Sequence, residues 1–220
     1  MIYLSYLLNE DTPTYGNRNS FSIEKKSSIS DGAIANDSYI ETTVHIGTHI
    51  DMPYHFYDDG QTIEDYDAGF WSFKDVLVVE IEPKGLIIKD LLIERLESID
   101  DVGYEILIVK TGICKRRGTQ GFWEKNYGFH PDVYDYLISK FRQLRVLGFD
   151  SISVSSIQDR LLGRESHRRF LNPKHPILLL EDMDLTQVSE ALSFREVIIA
   201  PLRIAHCDGL PCTVFGVVDD

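Results

Sequence analysis

Three histidines and an aspartate lie close together in the stretch TTVHIGTHIDMPYHF, residues 42–56 of the chain. Imidazole nitrogens and carboxylate oxygens are ligands that zinc, manganese and iron(II) accept in proteins. A histidine beside such an ion can also transfer protons, because its unperturbed pKa is about 6.5. The cluster of His45, His49, Asp51 and His55 therefore indicates a metal site or a proton-transfer site. The competing interpretation is a group of polar residues on a half-exposed surface.

The residues around this cluster favour a β-strand over a helix. Isoleucine, threonine and valine occupy alternate positions from residue 40 to residue 50, and β-branched residues favour strands. Strand alternation would put His45, His49 and Asp51 together on the opposite face. A helix would instead turn Asp51 about 120° away from His45. We expect Gly47 to leave room for an ion or a substrate between the two imidazoles.

The chain is expected to turn directly after this strand. Pro53 has no N–H to donate to a neighbouring strand, so regular pairing should end there. His55, beyond the turn, need not follow the strand alternation and could stand near a metal without binding it. That is the place of a general acid or base, so the sequence predicts proton transfer as the role of His55.

Further elements are needed to position this cluster. Seven runs rich in β-branched residues have the lengths of strands: residues 39–50, 76–81, 106–110, 146–154, 177–181, 197–205 and 213–218. Two apolar stripes at helical spacing predict amphipathic helices, one formed by Ile88, Leu92, Leu96 and Ile99, and one, after Pro131, by Val133, Leu137, Phe141 and Leu144. The polar segment 10–37 predicts a long excursion. Helices among apolar strands indicate an α/β fold, with mixed β-sheet layers and flanking helices.

The composition restricts the class of protein. The chain has 220 residues, 43% of them hydrophobic, which suits one domain over residues 1–220. Its formal net charge of −13 argues against binding nucleic acid, which needs basic groups to neutralise phosphates. No apolar run approaches the ~18–20 residues of a membrane span, so we expect no membrane partner. Three cysteines without a C-x-x-C pair are typical of free thiols, and the expected location is the cytoplasm.

The stretch HIGTHIDMPYHF resembles the H-x-G-T-H-x-D-x-P-x-H signature of the cyclase-like metal-dependent hydrolases, the family of bacterial kynurenine formamidase and isatin hydrolase. Every fixed position of that signature is present. The segments LGFDSISVSS, SHRRFLNPKHPILLLEDMDL and APLRIAHCDGLPCTVFGVV resemble further parts of the family, the last through a P-L-x-I-x-x-x-D-G-x-P pattern. The resemblance covers most of the chain and implies the swivelling β/β/α architecture of the family.

The resemblance also implies the roles of individual side chains. Metal binding falls to His45, His49, Asp51, His167 and Glu181, and proton transfer to His55. Asp51 would bridge two ions where two are bound. Glu181 follows an apolar run, where a buried carboxylate needs a cation, although a surface charge at a strand end is the alternative. For His167 the alternative is a solvated histidine, and His175 could take its place. We therefore expect a divalent metal, zinc or manganese, with one or two ions per subunit.

The reaction implied by the resemblance is hydrolysis of a small linear or cyclic amide, such as an arylformamide like N-formylkynurenine or a lactam-like ring. The metal would activate a water as hydroxide and polarise the carbonyl, while His55 would carry the proton to the leaving nitrogen. Tyr15, Phe56 and Phe70 are predicted to contact the substrate, with the core as the alternative location of each. The family's formamidases carry a tryptophan in the N-terminal loop. Neither tryptophan of this chain lies there, which leaves another amide, a lactam or a lactone-like substrate open.

Two other functions remain open on the sequence. One is a non-catalytic metal- or ligand-binding protein that retains the fold, and it would lack the proton-transfer role of His55. The other is a serine hydrolase using Ser151 or Ser153, which the absence of a G-x-S-x-G motif disfavours. The resemblance further implies self-association as a homodimer or homotetramer, with a small-molecule amide as the remaining partner.

Overall fold

The computed structural model describes residues 1–18 and 21–219 of the chain. Within these residues the strands are β1 (Ile2–Tyr3), β2 (Ser22–Ser27), β3 (Asp37–Glu41), β4 (His49–Asp51), β5 (Ser72–Phe73), β6 (Val76–Glu80), β7 (Ile87–Ile88), β8 (Ile106–Lys110), β9 (Gly128–Phe129), β10 (Val146–Phe149), β11 (Leu178–Glu181), β12 (Phe194–Pro201) and β13 (Gly209–Val218). The helices are α1 (Asp90–Glu97), α2 (Gln120–Glu124), α3 (Pro131–Lys140) and α4 (Arg160–Phe170). Short 3₁₀ turns lie at Tyr15–Asn17, Ile29–Asp31, Pro53–His55, Ile63–Asp65, Ala68–Trp71 and Ile113–Arg116.

A mixed sheet forms the centre of the molecule. In the described part of the chain it has nine strands, in the order β5-β12-β13-β4-β11-β10-β8-β6, with β1 paired to β13. Strands β6, β8, β10 and β11 are parallel neighbours, whereas β4 runs antiparallel to both β11 and β13. Every residue of β8, β10 and β11 is buried, as expected of parallel strands covered on both faces. The prediction of a mixed α/β fold is confirmed.

The two predicted helices form but are shorter than their apolar stripes. Helix α3 starts at Pro131, where the missing N–H costs no hydrogen bond, and ends at Lys140. Phe141 and Leu144 are buried just beyond it. Ile88 precedes α1 and belongs to β7. At these ends the apolar residues are buried in the core although they lie outside the helix.

The sequence pattern does not predict helix α4. The helix lacks the apolar stripe from which an amphipathic helix is recognised, because its buried face is mostly small and polar. That face consists of Gly163, Ser166, His167 and Phe170. The side chain of Asp159 accepts a hydrogen bond from the Leu162 backbone N–H and caps the first turn.

The predicted strand over residues 39–50 is wrong as a single element. Strand β3 ends at Glu41, β4 starts at His49, and the chain between them is irregular. Gly47, within this connection, has a φ of 57°, a left-handed conformation that a strand does not contain. Strands β2 and β3 instead pair with each other as a hairpin separate from the main sheet, and every residue of β3 is exposed.

One large cluster of buried side chains connects the main sheet with helices α1, α3 and α4. Its members include Leu92 of α1, Leu107 of β8, Leu137 of α3, Phe170 of α4 and Leu179 of β11. Over residues 1–18 and 21–219, no helix combines the length and hydropathy that crossing a membrane would require. Strands β4, β11 and β13 of the main sheet, which pack on this core, also carry or adjoin the polar residues of the site described next.

Candidate active site

Strand β4 carries two buried polar side chains, those of His49 and Asp51. The strand lies between β11 and β13, with His49 directly opposite Glu181 of β11. Residues directly opposite in an antiparallel pair place their side chains on the same face of the sheet. His49 Nε2 therefore lies 3.4 Å from Glu181 Oε2 and 3.4 Å from Asp51 Oδ1. The register of a three-residue strand thus brings one imidazole and two carboxylates together.

The loop before β4 brings His45 to the same carboxylate. His45 Nδ1 lies 2.9 Å from Asp51 Oδ1. His49 Nδ1 donates a hydrogen bond to the backbone oxygen of Gly47 at 2.8 Å, which leaves its Nε2 facing the carboxylates. A Cβ at residue 47 would lie 2.4 Å from Leu8 Cδ2. Leu8 therefore occupies the space that a side chain at residue 47 would need, while Gly47 itself lines the cavity described below. That Gly47 leaves room for an ion or a substrate stays a prediction.

Helix α4 supplies His167 to the opposite side of Asp51. His167 Nδ1 donates to the backbone oxygen of Gly163, one turn earlier, at 2.9 Å. Its Nε2 then lies 3.4 Å from Asp51 Oδ2 and 3.9 Å from Glu181 Oε1. A Cβ at residue 163 would lie 2.1 Å from Ser155 Oγ, so only glycine lets the helix approach the loop after β10 this closely. The helix that the sequence pattern missed is the element that positions this histidine.

Asp208, which the sequence analysis did not single out, holds two histidines of the site. Its Oδ2 lies 2.9 Å from His55 Nδ1 and 2.9 Å from His45 Nε2. Gly209, the next residue, is opposite Asp51 in the β13–β4 register. A Cβ at residue 209 would lie 2.4 Å from His45 Cε1, so glycine here makes room for the imidazole. The D-G pair in the closing segment was the available signal, but nothing local to it indicates a histidine partner.

The carboxylates of the site are buried, so their negative charge needs a positive charge nearby. Asp51 is 1% exposed and Glu181 is 3% exposed. Burial alone would raise the pKa of Asp51, but the charge of His45 and hydrogen bonds from the surrounding histidines hold it well below its usual range. Burial alone would lower the pKa of His45, yet the charge of Asp51 and the hydrogen bonds with Asp208 and Asp51 raise it to about 9. Protons on the histidines or a bound cation can supply that positive charge.

The donor set fits a divalent metal ion. Within the part of the chain that the structure describes, two groups of ligand atoms each lie within 4.8 Å of one another: His45, Asp51 and His55 in one, and His49, Asp51 and Glu181 in the other. His167 faces the second group. Because Asp51 belongs to both groups, the arrangement has room for one ion or for two that share its carboxylate. Because His55 belongs to the first group, its position suits a metal ligand as well as a general base.

A cavity of about 390 Å³ gives access to these residues. Tyr15 and Phe56, both predicted to contact the substrate, line it, and the Phe56 ring stacks on His167 with 4.7 Å between ring centroids. Phe70 lies outside the cavity, and its ring packs against Trp71 with 4.9 Å between centroids. The structure does not bring Phe70 to the site, because its aromatic neighbours hold it in a separate cluster.

The residues of the alternative interpretations are also accounted for. Ser151 Oγ donates to the backbone oxygen of Ser153, and Ser153 Oγ donates to Glu181 Oε1 at 3.4 Å. Among the described residues neither hydroxyl contacts an imidazole, so neither has the base that a serine nucleophile requires. His175 is exposed and lies outside the cavity, whereas His167 lines it. His167 is therefore the histidine that the structure brings to the carboxylates.

Comparison with known proteins gives consistent relatives. The model of the Cyclase family matches residues 2–156. A kynurenine formamidase from Bacillus cereus is 28% identical over 210 residues, covering 96% of this chain and 93% of that protein. Isatin hydrolase A from Labrenzia aggregata has a TM-score of 0.80 at 20% identity, covering 98% of this chain and 92% of that one. An isatin hydrolase bound to the product analogue thioisatinate has a TM-score of 0.78 at 22% identity, covering 99% and 92%. These solved structures share the fold of this chain.

Proposed function

The chain belongs to the Cyclase family, and from that premise we propose that it is a metal-dependent amidohydrolase that cleaves a small linear or cyclic amide. In line with the kynurenine formamidase and isatin hydrolases that it resembles, it is a hydrolase of carbon–nitrogen bonds other than peptide bonds. The observation that carries the proposal is the contact of buried Asp51 with His45, His49 and His167 beside a cavity. Such a set of buried ligands is costly to keep without a cation.

We assign metal binding to two overlapping groups: His49, Asp51, Glu181 and His167 in one, and His45 and Asp51 in the other. When bound, a divalent metal, which we take to be zinc or manganese, would acidify a water and polarise the amide carbonyl. The chain orients its own ligands for this purpose. The backbone oxygens of Gly47 and Gly163 each hold the Nδ1 of one histidine, so that the Nε2 atoms point toward the carboxylates.

His55 is the proposed proton-transfer residue. It lines the cavity, and Asp208 accepts a hydrogen bond from its Nδ1, so Nε2 is the basic nitrogen. His55 takes a proton from the attacking water as the water oxygen bonds to the carbonyl carbon. When the carbon–nitrogen bond breaks, the same imidazole returns the proton to the leaving nitrogen.

The substrate is proposed to carry an aromatic ring next to its amide. Tyr15 and Phe56 line the cavity and offer ring surfaces for stacking. The volume of about 390 Å³ is at the small end of ligand pockets, which suits one substituted ring or a fused bicycle. The names of the relatives include a linear formamide in one case and the cyclic amide isatin in the other, and both remain candidate classes for this chain.

Metal analysis coupled to an activity screen tests the proposed function. Protein purified without chelator should contain about one or two divalent ions per chain by plasma mass spectrometry. It should hydrolyse at least one member of a panel of arylformamides and cyclic amides. Dialysis against EDTA should remove the metal and the activity together, and zinc or manganese should restore both. The variant H206A, at a histidine whose side chain is 86% exposed, is the matched control and should retain both.

Two results of this experiment would count against the proposal. Metal content near zero together with undiminished hydrolysis would contradict the dependence on metal. Stoichiometric metal with no hydrolysis of any panel member would instead favour a non-catalytic metal- or ligand-binding protein of the same fold.

We also propose that the protein is a cytoplasmic homodimer or homotetramer. The support for self-association is the β2–β3 hairpin, in which the cross-strand neighbours Ile23 and Ile40 are 49% and 56% exposed. Adjacent apolar side chains exposed on one surface are typical of interaction sites. The cysteines Cys114, Cys207 and Cys212 are free, which is in keeping with a reducing compartment.

A further inference from the structure

Three arginines line the same cavity as the metal ligands: Arg18, Arg160 and Arg164. This local excess of positive charge contrasts with the chain as a whole, which has 22 basic and 35 acidic residues. The carboxylates that line the cavity in the described part of the chain are those of Asp51 and Glu181, and both belong to the metal centre. Outside the carboxylates and histidines of the site, the charged side chains that these described residues add to the cavity wall are therefore the three arginines.

Helix α4 places two of these arginines on the side of the helix that faces the site. Arg160 and Arg164 are one turn apart, and His167 follows three positions later. Residues at these spacings share one face of a helix. His167 is buried among the carboxylates, whereas both arginines are exposed. Their guanidinium groups therefore lie toward the mouth of the cavity, above a buried histidine on the same face.

Arg18 approaches from a different part of the chain. It directly follows the 3₁₀ turn Tyr15–Asn17. Burial raises the pKa of the Tyr15 hydroxyl, and the positive charges of Arg160, Arg18 and Arg164 act on it in the opposite direction. All three guanidinium groups thus lie within electrostatic range of one hydroxyl that lines the cavity. The cavity mouth receives positive charge from two separate elements.

These guanidinium groups are available to a ligand. Across residues 1–18 and 21–219, no carboxylate lies within 4.0 Å of the guanidinium nitrogens of Arg18, Arg160 or Arg164. Other arginines do have such partners: Arg117 pairs with Asp182, Arg145 with Glu105, and Arg169 with Asp135. A guanidinium group presents a planar fork of donors that matches the oxygens of a carboxylate or a phosphate.

We propose that Arg160 and Arg164, together with Arg18, bind an anionic group of the substrate, a carboxylate or a phosphate ester, at the mouth of the cavity. The amide of the same molecule then faces the metal centre. This inference rests on the proposed function for the identity of the bond that is cleaved. It makes the enzyme selective for amides with an acidic substituent over neutral amides of the same shape.

Matched substrates test this selectivity. They are 4-formamidophenylacetate, 4-formamidophenyl phosphate and the neutral 4-formamidophenylacetamide, which share the ring and the formamide. In the unaltered, metal-loaded protein, kcat/KM for at least one anion should exceed that for the neutral amide by about tenfold or more. The larger of the two ratios identifies the anionic group. Raising the salt concentration from about 20 mM to about 0.5 M should reduce the ratio, because exposed guanidinium groups are screened.

Variants assign the selectivity to the arginines. In the double variant R160Q/R164Q the ratio of anion to neutral amide should fall to about 2 or less, mainly through a higher KM for the anion. The control is R168Q, which removes one arginine charge from the same helix at an exposed residue that does not line the cavity. R168Q should keep the ratio of the unaltered protein.

A binding measurement separates this inference from the proposed function. Isothermal titration with phenylacetate and phenylacetamide reports on anion recognition without any turnover. Tighter binding of phenylacetate that R160Q/R164Q abolishes, with no formamide or cyclic amide hydrolysed, would support the anion site and remove the hydrolase assignment. Hydrolysis of formamides without preference for either anion would overturn the anion site and leave the hydrolase assignment standing. An anion preference that persists in R160Q/R164Q would also overturn it, since the anion would then be bound without Arg160 and Arg164.

Discussion

In three histidines of the site, a neighbouring group holds Nδ1 by a hydrogen bond. The other ring nitrogen, Nε2, is left free for a metal ion or a proton. His49 and His167 donate from Nδ1 to backbone oxygens, and His55 shares its Nδ1 with Asp208. A histidine with a fixed tautomer presents the same nitrogen before and after an ion binds, so little reorganisation is needed. His55 differs from the other two in having a carboxylate, that of Asp208, as the partner of its Nδ1.

Substituting His55 separates proton transfer from metal binding. We expect His55→Ala to lower kcat by about 10²-fold to 10⁴-fold while the metal content stays unchanged, because the water then has no positioned base. Steady-state kinetics and plasma mass spectrometry on the same preparation measure both quantities. His175→Ala, at an exposed histidine outside the cavity, is the control. Loss of metal together with activity would make His55 a ligand instead.

At the scale of residues, the sequence predicts side chains that are neighbours along the chain. His45, His49 and Asp51 could be selected because their types gather in one short stretch, and the structure brings them into contact. Asp208 could not, because it lies 163 positions from His45 and only the pairing of β13 with β4 joins them. Phe70 shows the converse, since an aromatic residue carries no local sign of whether it faces a cavity or a cluster.

At the scale of elements, α4 packs closely against the loop after β10. Because of this packing, we expect an alanine at Gly163 to destabilise the protein, although helix propensity alone predicts that it would stabilise the helix. Gly163→Ala would normally stabilise a helix by about 1 kcal/mol. Here the new Cβ would lie 2.1 Å from Ser155 Oγ, and overpacking of this kind costs about 1–3 kcal/mol. The two effects together predict that the free energy of unfolding in urea falls by up to about 2 kcal/mol. Activity should fall as well, because His167 moves with the helix.

A second helical glycine provides the control for this prediction. Gly121 lies in α2, and the nearest atom to a Cβ there is Thr119 Oγ1 at 3.8 Å, an ordinary contact. Gly121→Ala should therefore leave the free energy of unfolding unchanged or raise it. Equal effects of the two substitutions would show that α4 is not tightly packed against its neighbour.

The elements themselves were predictable to different degrees. Strand β8 occupies the predicted residues 106–110, because a fully buried strand shows its apolar residues without interruption. Strand β4 is much shorter than predicted, because Gly47 takes a left-handed conformation that the alternation of β-branched residues does not indicate. Helix α4 was not predicted because the face it buries is mostly small and polar and lacks the apolar stripe of an amphipathic helix. Its glycine allows close packing, and its histidine belongs to the site.

At the scale of the whole molecule, the proposed metal ligands would connect metal binding to the stability of the fold. Asp51 and Glu181 are both buried, so an ion that binds the folded chain relieves the repulsion between them. Above the Kd, each tenfold increase in free metal should add about 1.4 kcal/mol to the free energy of unfolding. We expect Tm to rise with zinc or manganese concentration in differential scanning fluorimetry, and Asp51→Asn to abolish the rise. A Tm that does not respond to metal or to EDTA would contradict a metal centre in the folded chain.

The hairpin gives a prediction about assembly. Ile23 and Ile40 are direct cross-strand neighbours on the β2–β3 hairpin, and both are about half exposed. If this surface joins two copies of the chain, the double variant I23S/I40S should be monomeric by size-exclusion chromatography with light scattering. Val102→Ser is the control, at an equally apolar residue that is 69% exposed outside the hairpin. A variant that keeps the mass of the unaltered protein would remove the hairpin from the interface.

The position of β4 between β11 and β13 also has a consequence for the synthesis of the protein. The ribosome makes β4 early, yet both strands that pair with it emerge only after most of the chain has been translated. Until then β4 has no partner on either side, and its histidine and carboxylate remain separate from Glu181 and Asp208. A nascent or truncated chain therefore lacks a complete binding site, however much of its parallel sheet has already folded. By the assignment proposed above, the set of side chains that would hold an ion is complete only once translation has passed Glu181 of β11, and Asp208 joins the site later still.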